Sequence, residues 1–147
     1  MPKFQGGSCN SVDDKGRIVI PQRFRLLLGE RFIMTRGFEG CVFVFTTDQW
    51  QRLGDKFGMD VMFDKGKVRL QRFLYGAASE VAPDNQGRVA IPQELREWAG
   101  IEPNSEVVIA GCTNWVEIWD KKRYDAMMMA ELEQGEALMD IAKEMGI

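Results

Sequence analysis

Residues 13–29 read DDKGRIVIPQRFRLLLG, and residues 84–100, 71 positions further on, read DNQGRVAIPQELREWAG. Eight of the 17 aligned positions are identical: Asp13/Asp84, Gly16/Gly87, Arg17/Arg88, Ile20/Ile91, Pro21/Pro92, Gln22/Gln93, Arg25/Arg96 and Gly29/Gly100. An internal repeat outranks other sequence signals, because it dictates the architecture. Each copy is too small to bury a core alone. The two must therefore pack together, about a pseudo-two-fold axis.

Both copies predict the same element order. A short strand (Cys9–Val12; Glu80–Pro83) enters a polar turn (Asp13–Gly16; Asp84–Gly87). The β-branched run Arg17–Ile20, matched by Arg88–Ile91, leaves it as a second strand. Proline then ends the strand and opens a helix at its first position, where its missing N–H costs nothing. Phe24, Leu27, Leu28 and Leu95, Trp98, Ala99 fall at helical spacing and predict one buried stripe per copy. Gly29 and Gly100 stand where a helix C-terminus favours positive φ. Two further strands follow in each copy, Phe32–Thr35 with Cys41–Phe45 and Glu106–Ala110 with Trp115–Trp119. Thr47 and Asp120 are expected to cap closing helices, with Trp50 and Tyr124 in equivalent places. The order predicts an α+β chain that is mostly β, with repeats over 7–54 and 79–123, a helical linker over 55–78 and a helical tail over 124–147. In the tail, helix-prone and interrupted at Gly135, Leu138, Ile141, Ala142 and Met145 form a second apolar stripe. It covers either a core or a neighbouring subunit.

Composition bounds the function. The chain has 147 residues, 45% hydrophobic and 28% charged, about one domain's worth. No apolar run reaches the ~18 residues of a membrane span, and MPKFQGGSCN lacks a signal peptide's apolar core. A cytosolic location without membrane partners is expected. Cys9, Cys41 and Cys112 are odd in number and widely spaced, against a disulfide framework or zinc knuckle. There is no histidine, which removes histidine zinc sites and Ser–His or Cys–His nucleophiles. No cofactor and no metal site is expected. An enzyme would have to start from Asp13-Asp14 with Asp84, or from Lys15, and no phosphate-cradling loop accompanies them. The net charge of −3 argues mildly against nucleic acid, yet residues 1–36 carry seven Lys/Arg against three Asp/Glu, and residues 120–147 carry four against seven. One basic face with an acidic tail held away from it is one reading of that asymmetry; simple surface solvation is the other.

Both turns have the form Asp-x-x-Gly-Arg. Asp13 and Asp84 are suited to accept backbone N–H groups ahead of them, and Gly16 and Gly87 to supply positive φ. Nothing about a hairpin requires the arginine. Arg17 and Arg88 either bridge to Asp13 and Asp84 or present a planar guanidinium fork to a partner. Lys15 beside Arg17 favours the second role, and Gln86 beside Arg88 is able to hydrogen-bond an adenine edge. A two-stranded β-ribbon fits the major groove of B-DNA, so Lys15, Arg17, Gln86 and Arg88, on two basic hairpin tips, are the candidate DNA-binding residues.

These paired Asp-x-x-x-Arg motifs, each followed by Ile-Pro and an amphipathic helix, resemble the MraZ proteins, bacterial regulators with two domains of the swapped-hairpin AbrB type. The resemblance extends through Arg72-Phe73-Leu74-Tyr75-Gly76-Ala77-Ala78-Ser79-Glu80 and Trp115-Val116-Glu117-Ile118-Trp119. It implies a tandem-repeat swapped-hairpin (double-split) β-barrel with short helices and a helical tail. It also implies a nucleoid-associated transcriptional regulator of division and cell-wall genes. Such a regulator binds direct repeats in double-stranded promoter DNA upstream of its own gene, through the hairpins of a homo-oligomeric ring. Two departures stand out: Phe4-Gln5-Gly6 replaces a common Phe-Arg-Gly, and Gln86 replaces a lysine. The competing expectation is an oligomeric scaffold or antitoxin-like partner-binding module using the same fold.

Overall fold

In the computed structural model, which describes residues 3–147, proline ends each motif strand after three residues. The first copy runs β1 (Gly7–Ser11), β2 (Arg17–Val19), α1 (Gln22–Leu28), β3 (Phe32–Arg36), β4 (Val42–Thr46) and α2 (Thr47–Asp55). A 3₁₀ turn, Met59–Phe63, and α3 (Lys65–Tyr75) make the connection. The second copy runs β5 (Ser79–Val81), β6 (Arg88–Ala90), α4 (Gln93–Ala99), β7 (Glu106–Gly111), β8 (Val116–Asp120) and α5 (Lys121–Glu133), with α6 (Gly135–Glu144) after it. The expected element order is present in both copies. Pro21 and Pro92 sit one position before the helices, with ψ of 140° and 141°, so they cap rather than open them. Thr46, not Thr47, caps α2, its side chain accepting from Gln49 N at 3.0 Å. Asp120 caps α5 as expected.

The chain is mixed α and β rather than mostly β: helical residues outnumber strand residues, because the connection and the tail are both helical. The strand order of the six-stranded antiparallel sheet is β1-β7-β8-β4-β3-β5, and β2 pairs with β6 in a separate two-stranded ribbon. Exchanging the copies leaves both sheets unchanged, which is the pseudo-two-fold expected from the repeat. Each copy's first strand is given to the other copy's third, β1 to β7 and β5 to β3. The expectation of two separate hairpins is thereby corrected. β1 and β2 share a hydrogen-bonded turn but no ladder; Asn10 Nδ2 donates to Val19 O across the gap at 3.0 Å. Side-chain alternation fixes which face of a strand is buried but not its partner.

The interior is made by both copies together. Ile18, Ile20, Phe24 and Leu28 meet Val89, Ile91, Leu95 and Ala99 in one cluster, against Val42, Val44, Val116 and Ile118 from the middle of the large sheet. Leu27 and Trp98 leave the expected stripes, at 40% and 36% exposure. Trp98 instead donates to Gly37 O at 3.0 Å and packs edge-on against Phe73. The sheet's opposite face carries a second cluster, Ile33, Cys41, Phe43, Phe45 and Trp119, with Leu74 and Trp50 over it. With both faces covered, β4 is buried along its whole length. The tail stripe covers no core: Leu138, Ile141 and Met145 are 47%, 53% and 71% exposed.

Candidate nucleic-acid interface

The two turns are built almost atom for atom alike. Asp13 N donates to Arg17 O at 2.9 Å, and Gly16 N to Asp13 O at 3.2 Å; Asp84 N to Arg88 O and Gly87 N to Asp84 O are both 2.9 Å. Each aspartate uses one carboxylate oxygen for the turn's backbone. Asp13 Oδ1 accepts from Lys15 N and Arg17 N at 2.9 and 2.8 Å, and Asp84 Oδ1 from Gln86 N and Arg88 N at 2.9 Å each. Its other oxygen takes the arginine, Arg17 Nε at 2.6 Å and Arg88 Nε at 2.9 Å. Both carboxyls are held below the usual carboxylate range, chiefly by the backbone N–H of Arg17 and of Arg88. Such carboxylates are poor proton acceptors and good fixed anchors. The bridging role open to the arginines is thus filled through Nε, and no other protein partner engages their guanidinium ends among the described residues.

The β2·β6 register decides what the arginines do together. Arg17 faces Ala90, Ile18 faces Val89 and Val19 faces Arg88. Ile18 and Val89, both 1% exposed, point into the core. Arg17, Val19, Ala90 and Arg88 therefore share the outer face of one ribbon, with the two arginines as diagonal neighbours roughly 7–8 Å apart. Two motifs 71 residues apart in sequence become one surface. Lys15 and Gln86 are exposed in the turns flanking it. Each turn is formally neutral, Asp13 and Asp14 against Lys15 and Arg17, Asp84 against Arg88; what it offers is oriented donors rather than net positive charge.

Gly16 and Gly87 have φ of 76° and 77°, a region that side chains with a Cβ resist. A second constraint comes from across the pseudo-axis. A Cβ on Gly16 would stand 2.6 Å from Arg96 Nε, and one on Gly87 only 2.1 Å from Arg25 Nη1. Each copy's helix arginine underpins the other copy's turn. Arg96 is anchored, its Nε donating to Ile91 O at 3.0 Å, while Arg25 Nε is buried without an acceptor among the described residues. Sequence reasoning missed these two supports, although their identity across the copies was the available signal. No group of three or more potential metal ligands exists among the described residues.

A protein-family model described as "MraZ protein, putative antitoxin-like" matches the chain twice, over residues 4–73 and 74–145. The chain belongs to the MraZ family. It is 39% identical to a protein named transcriptional regulator MraZ from Acetivibrio thermocellus, over 98% of this chain and 99% of that one. It is 36% identical, over the same shares, to a protein of that name from Halothermothrix orenii. These MraZ relatives carry the name of regulators, not of enzymes. No described helix is long and apolar enough to cross a membrane.

Proposed function

We propose that this protein is a sequence-specific, DNA-binding transcriptional regulator that lays the outer face of the β2·β6 ribbon in the major groove. The observation that carries this reading is the pairing of Arg17 and Arg88 on that face, each with Nε tied to an aspartate and its outer nitrogens free of partners among the described residues. An arginine held in that way keeps its two-pronged edge for a guanine, whose O6 and N7 match it, and loses little rotamer freedom on binding. Lys15 and Gln86, at the ribbon's ends, contact phosphate and base edges beside it. Asp13, Gly16, Asp84 and Gly87 fix the turns.

The swapped pairing of β1 and β5 supports an AbrB-type double-split barrel, with units over 7–54 and 79–123 joined by 55–78 and followed by the tail 124–147. The exposed stripe of α6 supports assembly into a homo-oligomeric ring that reads direct repeats in the protein's own promoter, in the cytoplasm at the nucleoid. The same stripe also suits a partner-binding module, the second reading. Anisotropy titration of a labelled fragment from upstream of the protein's own gene separates the two. Under the DNA reading, binding is specific and weakens with rising salt as counterions are released, and Arg17→Ala weakens the specific part. Equal affinity for unrelated DNA, or none for either, rejects the DNA reading.

A further inference from the structure

Trp115-Val116-Glu117-Ile118-Trp119 has a feature that DNA binding leaves unused. Alternation puts Glu117 and Trp119 on one face of β8, the face of the second aromatic cluster, which Trp115 joins from just before the strand. There Glu117 accepts two indole N–H groups, Trp115 Nε1 to Oε2 at 3.0 Å and Trp119 Nε1 to Oε1 at 2.9 Å. Each oxygen is fixed by a different indole, and neither donor neutralises the charge. Among the described residues no ion pair reaches Glu117.

In front of this carboxylate lies a cavity of about 420 Å³, within the range of small-molecule sites. Phe43, Trp115, Trp119 and Tyr124 contribute its aromatic walls, and α5 adds Met127. Two more carboxylates, Glu39 and Glu131, line it, and no lysine or arginine does. Arg123 lines the adjoining depression, but its Nη1 is directed to Trp98 O at 3.2 Å and Gly40 O at 3.4 Å. Glu39 reaches the lining from the turn between β3 and β4, where its φ is 65°. The Cys112 thiol, also in the lining, is pushed up to about 11 by burial and then by the charge of Glu117.

These features select the ligand's class. Aromatic faces carry negative quadrupole density and attract cations. An anion would be repelled by three carboxylates, and a neutral apolar group would desolvate Glu117 without compensation. A hard metal ion would need several converging oxygens, and the described residues form no such cluster. We propose that this cavity binds a small organic cation, an alkylammonium or guanidinium of the polyamine class, with Glu117 as counter-ion and Trp115, Trp119 and Tyr124 as its cage.

The test titrates the full chain with agmatine, spermidine and tetramethylammonium at constant ionic strength, following tryptophan fluorescence. At least one should give a saturable change. Glu117→Gln, which keeps the shape and removes the charge, should weaken that binding about tenfold or more, while Glu133→Gln on the exposed side of α5 leaves it unchanged. If Glu117→Gln fails to fold, Glu39→Gln and Glu131→Gln together take its place, with a loss of about threefold or more expected. No saturable response at millimolar cation, a response matched by sodium chloride, or equal affinity in the glutamine variants overturns the proposal. So does a signal that vanishes when light scattering shows the chains diluted to monomers, since the cation would then act at a contact between chains.

Discussion

Substituting alanine at Gly16 and at Gly87 should give unequal losses of stability, in the order opposite to the one the raw distances suggest. The backbone term is the same, since φ is 76° and 77°, and a Cβ there costs about 1–2 kcal/mol. The steric terms differ. The new Cβ at Gly87 meets Arg25 Nη1 at 2.1 Å, closer than the 2.6 Å between a Gly16 Cβ and Arg96 Nε. Yet Nη1 is the far end of a flexible side chain whose Nε has no acceptor, so Arg25 swings aside at little cost. Arg96 is met in mid-chain and is tied by Nε to Ile91 O. Moving it loses that hydrogen bond, about 0.5–1.5 kcal/mol, and adds overpacking of about 1 kcal/mol or more. Gly16→Ala should therefore cost about 3–4 kcal/mol and Gly87→Ala about 1–2 kcal/mol, against a total stability of about 5–15 kcal/mol. At about 3–4 °C per kcal/mol for a chain of this size, a difference of about 2 kcal/mol should separate the melting temperatures by about 6–8 °C. Urea denaturation followed by far-ultraviolet circular dichroism, at one protein concentration, measures both. Adding Arg96→Ala to Gly16→Ala should recover the steric part and leave the backbone part, a coupling readable as a double-mutant cycle. Equal losses or a larger loss at Gly87 would refute the ranking, and no coupling with Arg96 would refute the support of the Gly16 turn by that arginine.

Arg17→Ala should cost about 1–3 kcal/mol of specific DNA affinity for each base contact removed while the fold survives; an unchanged affinity with a lower melting temperature would make the arginine purely structural. Because the folded Asp13 and Asp84 carboxyls lie below their ordinary values, the unfolded chain takes up protons first on acidification. Their stabilisation is complete above about pH 4, the unfolded value, and is lost as pH falls through the lower folded values; a flatter acid limb in Asp13→Asn with Asp84→Asn checks the sign. Ending the chain after Glu133 should leave the melting transition nearly unchanged, since α6 covers no core, and should lower the mass found by light scattering. Neighbouring chains of a ring face one side of a duplex at intervals of about 10–10.5 base pairs, so inserting about five base pairs between promoter repeats should weaken binding more than inserting about ten; indifference to spacing would reject the ring reading.

The repeat alone determined a good deal: two copies of one element order, a shared core, a pseudo-two-fold, and turns held by Asp13 and Asp84. Those features are local, or follow from the fact that equal sequences take equal structures. β-branched content in Arg17–Ile20 and Arg88–Ile91 marked each run as a short strand, of which the structure buries only one face. That content said nothing of partners, because a strand's period of two names its face but not its neighbour. Tertiary structure alone sent β1 to β7, paired β2 with β6, and so put Arg17 and Arg88 on one ribbon instead of two hairpin tips. Arg25 and Arg96 were legible only as identities, since their contacts cross from one copy to the other. The helical spacing of Leu27 and Trp98 matched their buried neighbours but did not bury them, for a helix stripe is wider than the surface available to cover it. Trp115, Glu117 and Trp119 were visible as a motif, and only the covering of the sheet's second face by α5 made a cavity of them. Contacts between segments distant in the chain are set by how whole faces fit, a property that no local pattern encodes.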